Sequence, residues 1–263
     1  MRASLVIPTL NEAGSIGPVL TSFRAAAEAA NRTVFRDDPL VWELLVVDGA
    51  STDRTAEEAT AAGARVLIER RPGYGRAYRT GFAEATGEVL ATSDGDGTYP
   101  VATIPTLVRR LLDERLDFLT GDRMAYLDRK SMTTEHRIGN WVLNEAANFL
   151  FHRFVRTLPG GRLRDSQSGF WVFRREVLDR VHLTQDGMPL SEEFKIEALI
   201  RGLKFAEVPI RYGERWGVPK LSSWRDGRRN FQFLFRKRFE FRLEERRAGV
   251  AVRRKAPDGA PPP

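Results

Sequence analysis

Asp94 and Asp96 stand one glycine apart in the string Thr92-Ser93-Asp94-Gly95-Asp96-Gly97-Thr98, directly after the apolar run Val89-Leu90-Ala91. Two carboxylates at the tip of a strand that reads as buried are poor core material and good ligands for a divalent cation. The glycine between them lets the chain turn sharply and lets a bulky anion approach the backbone. Oxygen ligands of this kind suit Mg2+ or Mn2+, hard ions that keep waters and share substrate phosphates. By itself the triplet also describes an ordinary surface turn. What gives it chemistry is the polar material that precedes it.

That material sits at the ends of apolar runs. Ser4 to Ile7, Leu44 to Val47, Ala64 to Ile68, Glu88 to Thr92 and Asp117 to Gly121 read as strands. Ile16 to Ala30, Thr55 to Ala62, a segment after Gly75 and Ile104 to Leu112 read as helices between them. Strands that are apolar throughout, each followed by a helix, predict an α/β fold with a mainly parallel central sheet flanked by helices. Such sheets take ligands beyond the carboxyl ends of their strands. The first strand runs into Pro8-Thr9-Leu10-Asn11-Glu12 and the second into Asp48-Gly49-Ala50-Ser51-Thr52-Asp53, so both open onto the rim that carries Asp94 and Asp96. Ser51, Thr52 and Asp53 also suit the capping of the next helix.

These three strings, in this order and spacing, resemble the family 2 glycosyltransferases, which have the nucleotide-sugar-binding GT-A fold. The resemblance implies that Pro8, Asn11, Glu12, Asp48 and Ser51 hold the nucleoside of a UDP- or GDP-sugar. It implies that Asp94 and Asp96 hold Mg2+ or Mn2+ on the donor diphosphate. Further along, Gly121-Asp122-Arg123, Arg137-Ile138-Gly139-Asn140, Asp165-Ser166-Gln167-Ser168-Gly169-Phe170 and Arg215-Trp216-Gly217-Val218-Pro219-Lys220-Leu221-Ser222 resemble the branch that includes dolichyl-phosphate mannose and glucose synthases. The implied acceptor is a polyprenyl phosphate, with Arg123, Arg137, Asn140, Arg215 and Lys220 toward its phosphate and Asp165 and Gln167 shaping the acceptor end. Two positions depart from that pattern: Pro219 replaces the usual Ser, and Asn140 stands where Ser is frequent. An alternative acceptor is a sugar hydroxyl, which needs a carboxylate base. Glu193, in Leu190-Ser191-Glu192-Glu193-Phe194, is the candidate, though Ser191 would also serve as an N-cap with both acids in the first helical turn.

The chain has 263 residues, with 42% hydrophobic and 29% charged residues, as a soluble globular protein requires. It has no cysteine, which excludes disulfides and thiolate metal sites. The start reads as lacking a signal peptide, and no apolar run approaches the roughly 20 residues of a membrane span. A cytoplasmic protein, peripheral on the cytoplasmic face of the membrane, is the expectation. Arg225 to Lys255 carries twelve basic and four acidic residues, a net of +8 against +7 for the whole chain, so the basic character belongs to the tail. Phe231, Leu234, Phe235 and Phe239 recur at near-helical spacing among its arginines, with Phe233 and Phe241 widening the apolar face. A C-terminal basic amphipathic helix of this kind can lie on an anionic membrane surface or pack on the domain. A nucleic-acid-binding module is a remote reading, since no such motif is visible, and nucleic acid is not an expected partner. The expected organisation is a catalytic domain over 1–223, a helical tail over 224–250 and a disordered Pro-rich end over 251–263.

Overall fold

The five apolar runs become strands β1 (Arg2–Thr9), β2 (Val41–Asp48), β3 (Arg65–Ile68), β4 (Val89–Thr92) and β5 (Phe118–Tyr126). Between them lie helices α1 (Ile16–Arg32), α2 (Thr55–Ala61), α3 (Tyr74–Glu84) and α4 (Ile104–Asp113). The computed structural model describes residues 1–126, 134–216 and 223–255, and within the last of these the side chains of 227–245. After β5 come α5 (Thr134–Leu150), α6 (His152–Val155), β6 (Trp171–Arg174), α7 (Leu190–Ile200), β7 (Phe205–Arg211) and α8 (Ser223–Lys255). The sheet order is β3-β2-β1-β4-β6-β5-β7. β6 runs antiparallel to both its neighbours, while the remaining pairs are parallel. The mainly parallel α/β sheet read from the sequence is therefore present, with one short reversed strand inside it.

Burial of both sheet faces explains why the strands are apolar without alternation. Leu5, Ile7 and Val46 point into one core with Ile16, Leu20 and Phe23 of α1 and Ile104, Val108 and Leu111 of α4. Val6, Leu45 and Val47 point into the other with Tyr78 and Phe82 of α3 and Leu190, Phe194 and Ala198 of α7. α1 shows the ordinary one-faced stripe, Ile16, Val19, Leu20, Phe23, Ala27 and Ala30. α7 does not: every residue from Leu190 to Leu199 is buried, so Glu192, Glu193, Lys195 and Glu197 must find partners inside the protein.

The C-terminal helix has two apolar faces rather than one. Phe233 and Leu234 are buried against Leu143, Ala147 and Phe151 and against Ile196 of α7. Lys237 extends this seam with an ion pair to the buried Glu197, 2.6 Å apart. Phe231, Phe235, Phe239 and Leu243 face outward instead. The broad single face read from the sequence is thus divided, and Phe241 packs edge-on against Phe154, with ring centroids 5.3 Å apart. The helix also runs to Lys255, past the expected boundary at residue 250. Residues 256–263 lie outside the described residues.

An aromatic cluster joins the sheet to its helices. Phe194 sits 4.7 Å from Phe118, 4.9 Å from Phe173, 5.3 Å from Trp171 and 5.8 Å from Phe82, centroid to centroid. Truncating this buried ring of α7 removes contacts with β5, β6 and α3. Phe194→Ala is expected to destabilise the protein by about 3–5 kcal/mol, read as a lowered urea midpoint at unchanged slope.

Candidate active site

The carboxyl ends of β1 and β2 are in register, Thr9 opposite Asp48. The loops that leave them are laced together by short polar side chains. Asp48 is buried and accepts from Thr9 Oγ1 at 3.3 Å, from the Ser51 amide at 3.0 Å and from the Ser51 hydroxyl. The Ser51 hydroxyl in turn accepts from the Asn11 amide at 2.8 Å, and the Asn11 side-chain oxygen accepts from the Thr52 amide at 2.8 Å. Glu12 is tied by its amide to Thr55 Oγ1 at 2.7 Å. Asp53, not Ser51, holds the start of α2, accepting from the Thr55 amide at 3.0 Å. Asn11, Glu12, Asp48 and Ser51 are therefore brought into one corner beside Pro8, as the sequence predicts. These three bonds leave Asp48 short of the roughly four that a carboxylate accepts.

The Asp94–Asp96 turn closes on that corner. A methyl group added at Gly95 would lie 2.8 Å from Thr9 Cγ2 and 3.6 Å from Glu12 Cγ, so only glycine lets the turn approach the exit of β1 this closely. Gly97 has φ 79° and lies under the Trp216 ring, where a Cβ would come within 2.8 Å. Asp96 accepts from the Thr98 amide at 3.0 Å and from Thr98 Oγ1 at 2.6 Å. Its other oxygen pairs with Arg215 at 2.8 Å. Asp94 accepts from Tyr74 at 3.3 Å. Burial, and then the charge of Asp96, push Asp94 up to about 7 despite the opposing Arg215. Two acids crowded into a desolvated turn with one cation between them form an under-compensated anionic site. The donor set thus fits a hard divalent ion. Among the described residues no third acid or histidine joins them, so such an ion would complete its shell from waters and a diphosphate.

Arg215 is consequently engaged at the metal side, not free for an acceptor. The strap that carries it is fixed by the Gly213 amide to Thr98 O at 2.8 Å and the Trp216 amide to Asp96 O at 2.9 Å. Lys220 and Pro219 lie outside the described residues, as does most of the expected acceptor loop over 124–134.

Arg123 is likewise committed elsewhere. Its guanidinium grips Asp165 in a fork, with Nε at 2.7 Å and NH2 at 2.9 Å, and it lies over the Tyr212 ring. Asp165 is wholly buried and also accepts from the amides of Arg123, Gln167 and Ser168 at 3.0, 3.0 and 3.1 Å. Burial would raise Asp165, but the Arg123 charge and then Lys195 hold its carboxyl well below the usual carboxylate range. Asp165 therefore braces the turn through Ser168, and its fork occupies the Arg123 guanidinium. Lys195, from α7, donates to the Asp165 carbonyl and is lowered by burial to about 8. Glu207, from β7, accepts from the amides of Arg164 and Asp165 and is raised by burial to about 7. Asn144 of α5 clamps the same loop, donating to Arg164 O at 2.6 Å and accepting from the Ser166 amide at 2.7 Å.

The α7 acids correct the sequence reading. α7 begins at Leu190 with Pro189 before it, so Ser191 is not the cap, and its hydroxyl is buried without a partner. Glu193 accepts from the Thr184 amide at 2.8 Å, Thr184 Oγ1 at 2.7 Å and the Gln185 amide at 2.9 Å. It secures the loop before α7 and is spent there, so it is not an available base. Its neighbour Glu192 is the residue that meets Gln167, whose Nε2 donates to Glu192 Oε1. Burial drives the Glu192 carboxyl well above the usual carboxylate range.

Two arginines that make no ion pair among the described residues, Arg137 and Arg164, stand on the outer wall instead, beside Arg162, which is paired with Glu145. Arg137, Arg162 and Arg164 line a cavity of about 680 Å3 with Asp122, Met124 and Trp141. Ile138 is shared with a larger groove of about 1180 Å3 between α5 and α8, walled by Val142, Leu143 and Phe231. Asn140 is half-buried on α5 beside Arg137. Arg162 and Arg164 carry no sequence signal beyond their charge. Glu207, an acid amid Phe205, Val208 and Ile210, does carry one.

The Glu207 site has a measurable pH signature. The folded protein holds the Glu207 proton up to about 7, whereas the unfolded chain releases it near 4.5. The stabilisation this group contributes is present below about 4.5 and lost as pH rises through about 7. Against wild type, Glu207→Gln should therefore remove a decline of about 3 kcal/mol in unfolding free energy over that interval. Parallel stability profiles of the two proteins would refute the assignment.

Comparison with known proteins matches this geometry. Residues 4–181 match the model of glycosyl transferase family 2. A dolichyl-phosphate hexose transferase of Haloferax volcanii is 34% identical over 224 residues, covering 85% of this chain and 88% of that protein. A low-salt glycan biosynthesis hexosyltransferase of the same organism is 31% identical over 88% of this chain, which spans only 52% of that relative's length. Glucosyl-3-phosphoglycerate synthase from Mycobacterium tuberculosis, crystallised with Mn2+, uridine diphosphate and glucosyl-3-phosphoglycerate, has a TM-score of 0.67 at 24% identity, over 90% of this chain and 79% of its own. That likeness establishes the shared fold. With its strand order, its paired acids at the carboxyl rim and a family model running across most of its length, the chain belongs to glycosyl transferase family 2 and is a glycosyltransferase of GT-A fold.

Proposed function

We propose that the protein transfers a sugar from a UDP- or GDP-sugar to a polyprenyl phosphate with inversion at the anomeric carbon. The observation that carries this reading is the join between a cavity that presents Arg137 and Arg164, neither in an ion pair among the described residues, beside Asp122 and the Arg162–Glu145 pair, and an apolar groove between α5 and α8. A phosphate headgroup with a hydrocarbon chain has that pair of properties. Arg forks suit phosphate oxygens, and an apolar trough suits a prenyl tail. The named likeness to a dolichyl-phosphate hexose transferase supports the same acceptor class.

The chemistry asks little of a protein base. An oxygen of the lipid phosphate, already anionic near neutral pH, forms the new bond to the anomeric carbon. The bond from that carbon to the nucleoside diphosphate breaks, and its electron pair leaves with the diphosphate. Transfer to a sugar hydroxyl would need a base, and Glu193 is engaged with Thr184 and Gln185 while Glu192 is buried against Gln167. This favours the phosphate acceptor over the hydroxyl one. Mg2+ or Mn2+ held by Asp94 and Asp96 would offset the charge that develops on the departing diphosphate. Asp48, Asn11, Glu12, Ser51 and Pro8 hold the nucleoside, and the walls formed by Asp165 and Gln167 orient the acceptor.

The outward stripe of α8, Phe231, Phe235, Phe239 and Leu243, lies among Arg228, Arg229, Arg236 and Arg242, and α5 adds Ile138, Trp141 and Phe149. Aromatic residues interleaved with arginines favour the interface of an anionic bilayer, where a lipid acceptor resides. Among the described residues no helix is long and apolar enough to cross a membrane. Peripheral attachment to the cytoplasmic face is the reading this supports.

The test is transfer of labelled sugar from a panel of UDP- and GDP-sugars to undecaprenyl or dolichyl phosphate with Mg2+ or Mn2+. Labelled lipid from one donor is the expected result, lost on chelation and reduced at least about a hundredfold in Asp96→Ala, with circular dichroism unchanged. Donor hydrolysis without labelled lipid would reject the acceptor. In the same assay Arg137→Ala and Arg164→Ala should each raise the KM for lipid phosphate about tenfold, with donor KM unchanged. An equal rise for the donor would move these arginines out of the acceptor site.

A further inference from the structure

The inner face of α8 carries two polar residues that bracket its apolar contact. Asn230, Phe233, Leu234 and Lys237 follow one helical stripe, and all four are buried. Lys237 reaches Glu197 of α7. Asn230 reaches the catalytic wall: its Nδ2 donates to Gln167 Oε1 at 2.6 Å. The far end of the same amide is also held, since Gln167 Nε2 donates to Glu192 and to Ser166 Oγ at 3.1 Å. The Gln167 side chain is thus pinned between two helices that are distant in sequence.

The pinned residue occupies the middle of a short wall. Two residues earlier, Asp165 fixes Arg123. Two residues later, the Gly169 amide donates to Tyr99 OH at 2.9 Å and its carbonyl accepts from Thr92 Oγ1 at 2.7 Å, tying the wall to the end of β4. One segment therefore spans from the acceptor side to the Asp94–Asp96 turn. A displacement of its centre would alter the distance between the two reactants. Burying Asn230 and Glu192 around the half-buried Gln167 costs desolvation that an apolar seam would avoid. Asn230 Oδ1 and Glu192 Oε2 are even left without partners. A seam built only for adhesion does not need this arrangement.

We propose that Asn230 is a positioning residue for transfer: acting through Gln167, it holds residues 165–169 at the spacing that brings the acceptor to the donor. This rests on the acceptor assignment made above. It also makes α8 a working part of the active site, although every motif of the catalytic domain precedes it.

The test compares the full chain carrying Asn230→Ala, Asn230→Asp or Lys237→Ala with wild type. Asn230→Asp keeps the shape and removes the Nδ2 donor, so a lost bond and lost packing are separated. Hydrogen exchange of peptides covering 165–169 should quicken about tenfold in both Asn230 variants, and kcat/KM for lipid phosphate should fall about tenfold. Nucleotide binding with Mn2+ should be unchanged. Lys237→Ala should lower the melting temperature and quicken exchange along α8 while leaving 165–169 protected. Unchanged exchange at 165–169 in both Asn230 variants would overturn the proposal, as would loss of transfer only in proportion to melting temperature. If wild type labels no lipid phosphate, quickened exchange would uphold the clamp and place the failure on the acceptor reading.

Discussion

The active-site wall depends on one buried ion pair, Arg123 with Asp165. Neither side chain reaches bulk water in a useful way, and a carboxylate taken out of water costs several kcal/mol before anything offsets it. The offset here is complete. Asp165 receives both prongs of the guanidinium and three backbone amides. Because those amides belong to Arg123, Gln167 and Ser168, satisfying the charge also fixes the path of two chain segments. β5 and the 165–169 wall are held in register by electrostatics, where a hydrophobic contact would let them slide. Lys195 and Glu207 extend the network by holding the backbone on either side of Asp165.

Charge commitment also separates the residues that build the site from those left to bind a substrate. Arg123 and Arg215 stand at motif positions, yet each already has a carboxylate, Asp165 and Asp96 respectively. Arg137 and Arg164 make no ion pair among the described residues and line the open cavity. For the same reason Glu193, adjacent to a helix start near the site, is spent on Thr184 and Gln185. A free cation beside an apolar groove is the feature on which the proposed lipid-phosphate acceptor rests.

The legible part of the fold is the part whose burial is uniform. β1, β2 and β4 are covered on both faces, so their apolar runs announced a parallel sheet, and the polar strings at their ends announced Asp48, Asp94 and Asp96. β6 was not legible: four residues in antiparallel pairing between β4 and β5 leave no crossover helix to frame them. β7 alternates, with Glu207 and Arg211 breaking the run, and its pairing with β5 is a tertiary choice. α7 hid for the opposite reason. A helix buried on all sides has no polar stripe, so Glu192 and Glu193 look equivalent in sequence. Successive residues point about 100° apart on a helix, which sends one to Gln167 and the other to Thr184. Motif position likewise located Arg123 and Arg215 but not their partners, since a partner is set by packing.

α8 shows how one sequence pattern can serve two surfaces. Phenylalanines at 231, 233, 235, 239 and 241 read as a single wide apolar face, and a helix packed on a domain needs only a narrow one. The surplus decides the matter. Phe233 and Leu234, framed by Asn230 and Lys237, are enough to bury the seam against α5 and α7. Phe231, Phe235 and Phe239 then remain outward, each exposing aromatic area that water penalises. Docking on the domain therefore does not satisfy the helix; it orients the helix so that Arg228, Arg229 and Phe231 line the groove against α5. The strongly basic tail and the nearly neutral body are joined at that seam, and the polar bonds within it point at the catalytic wall.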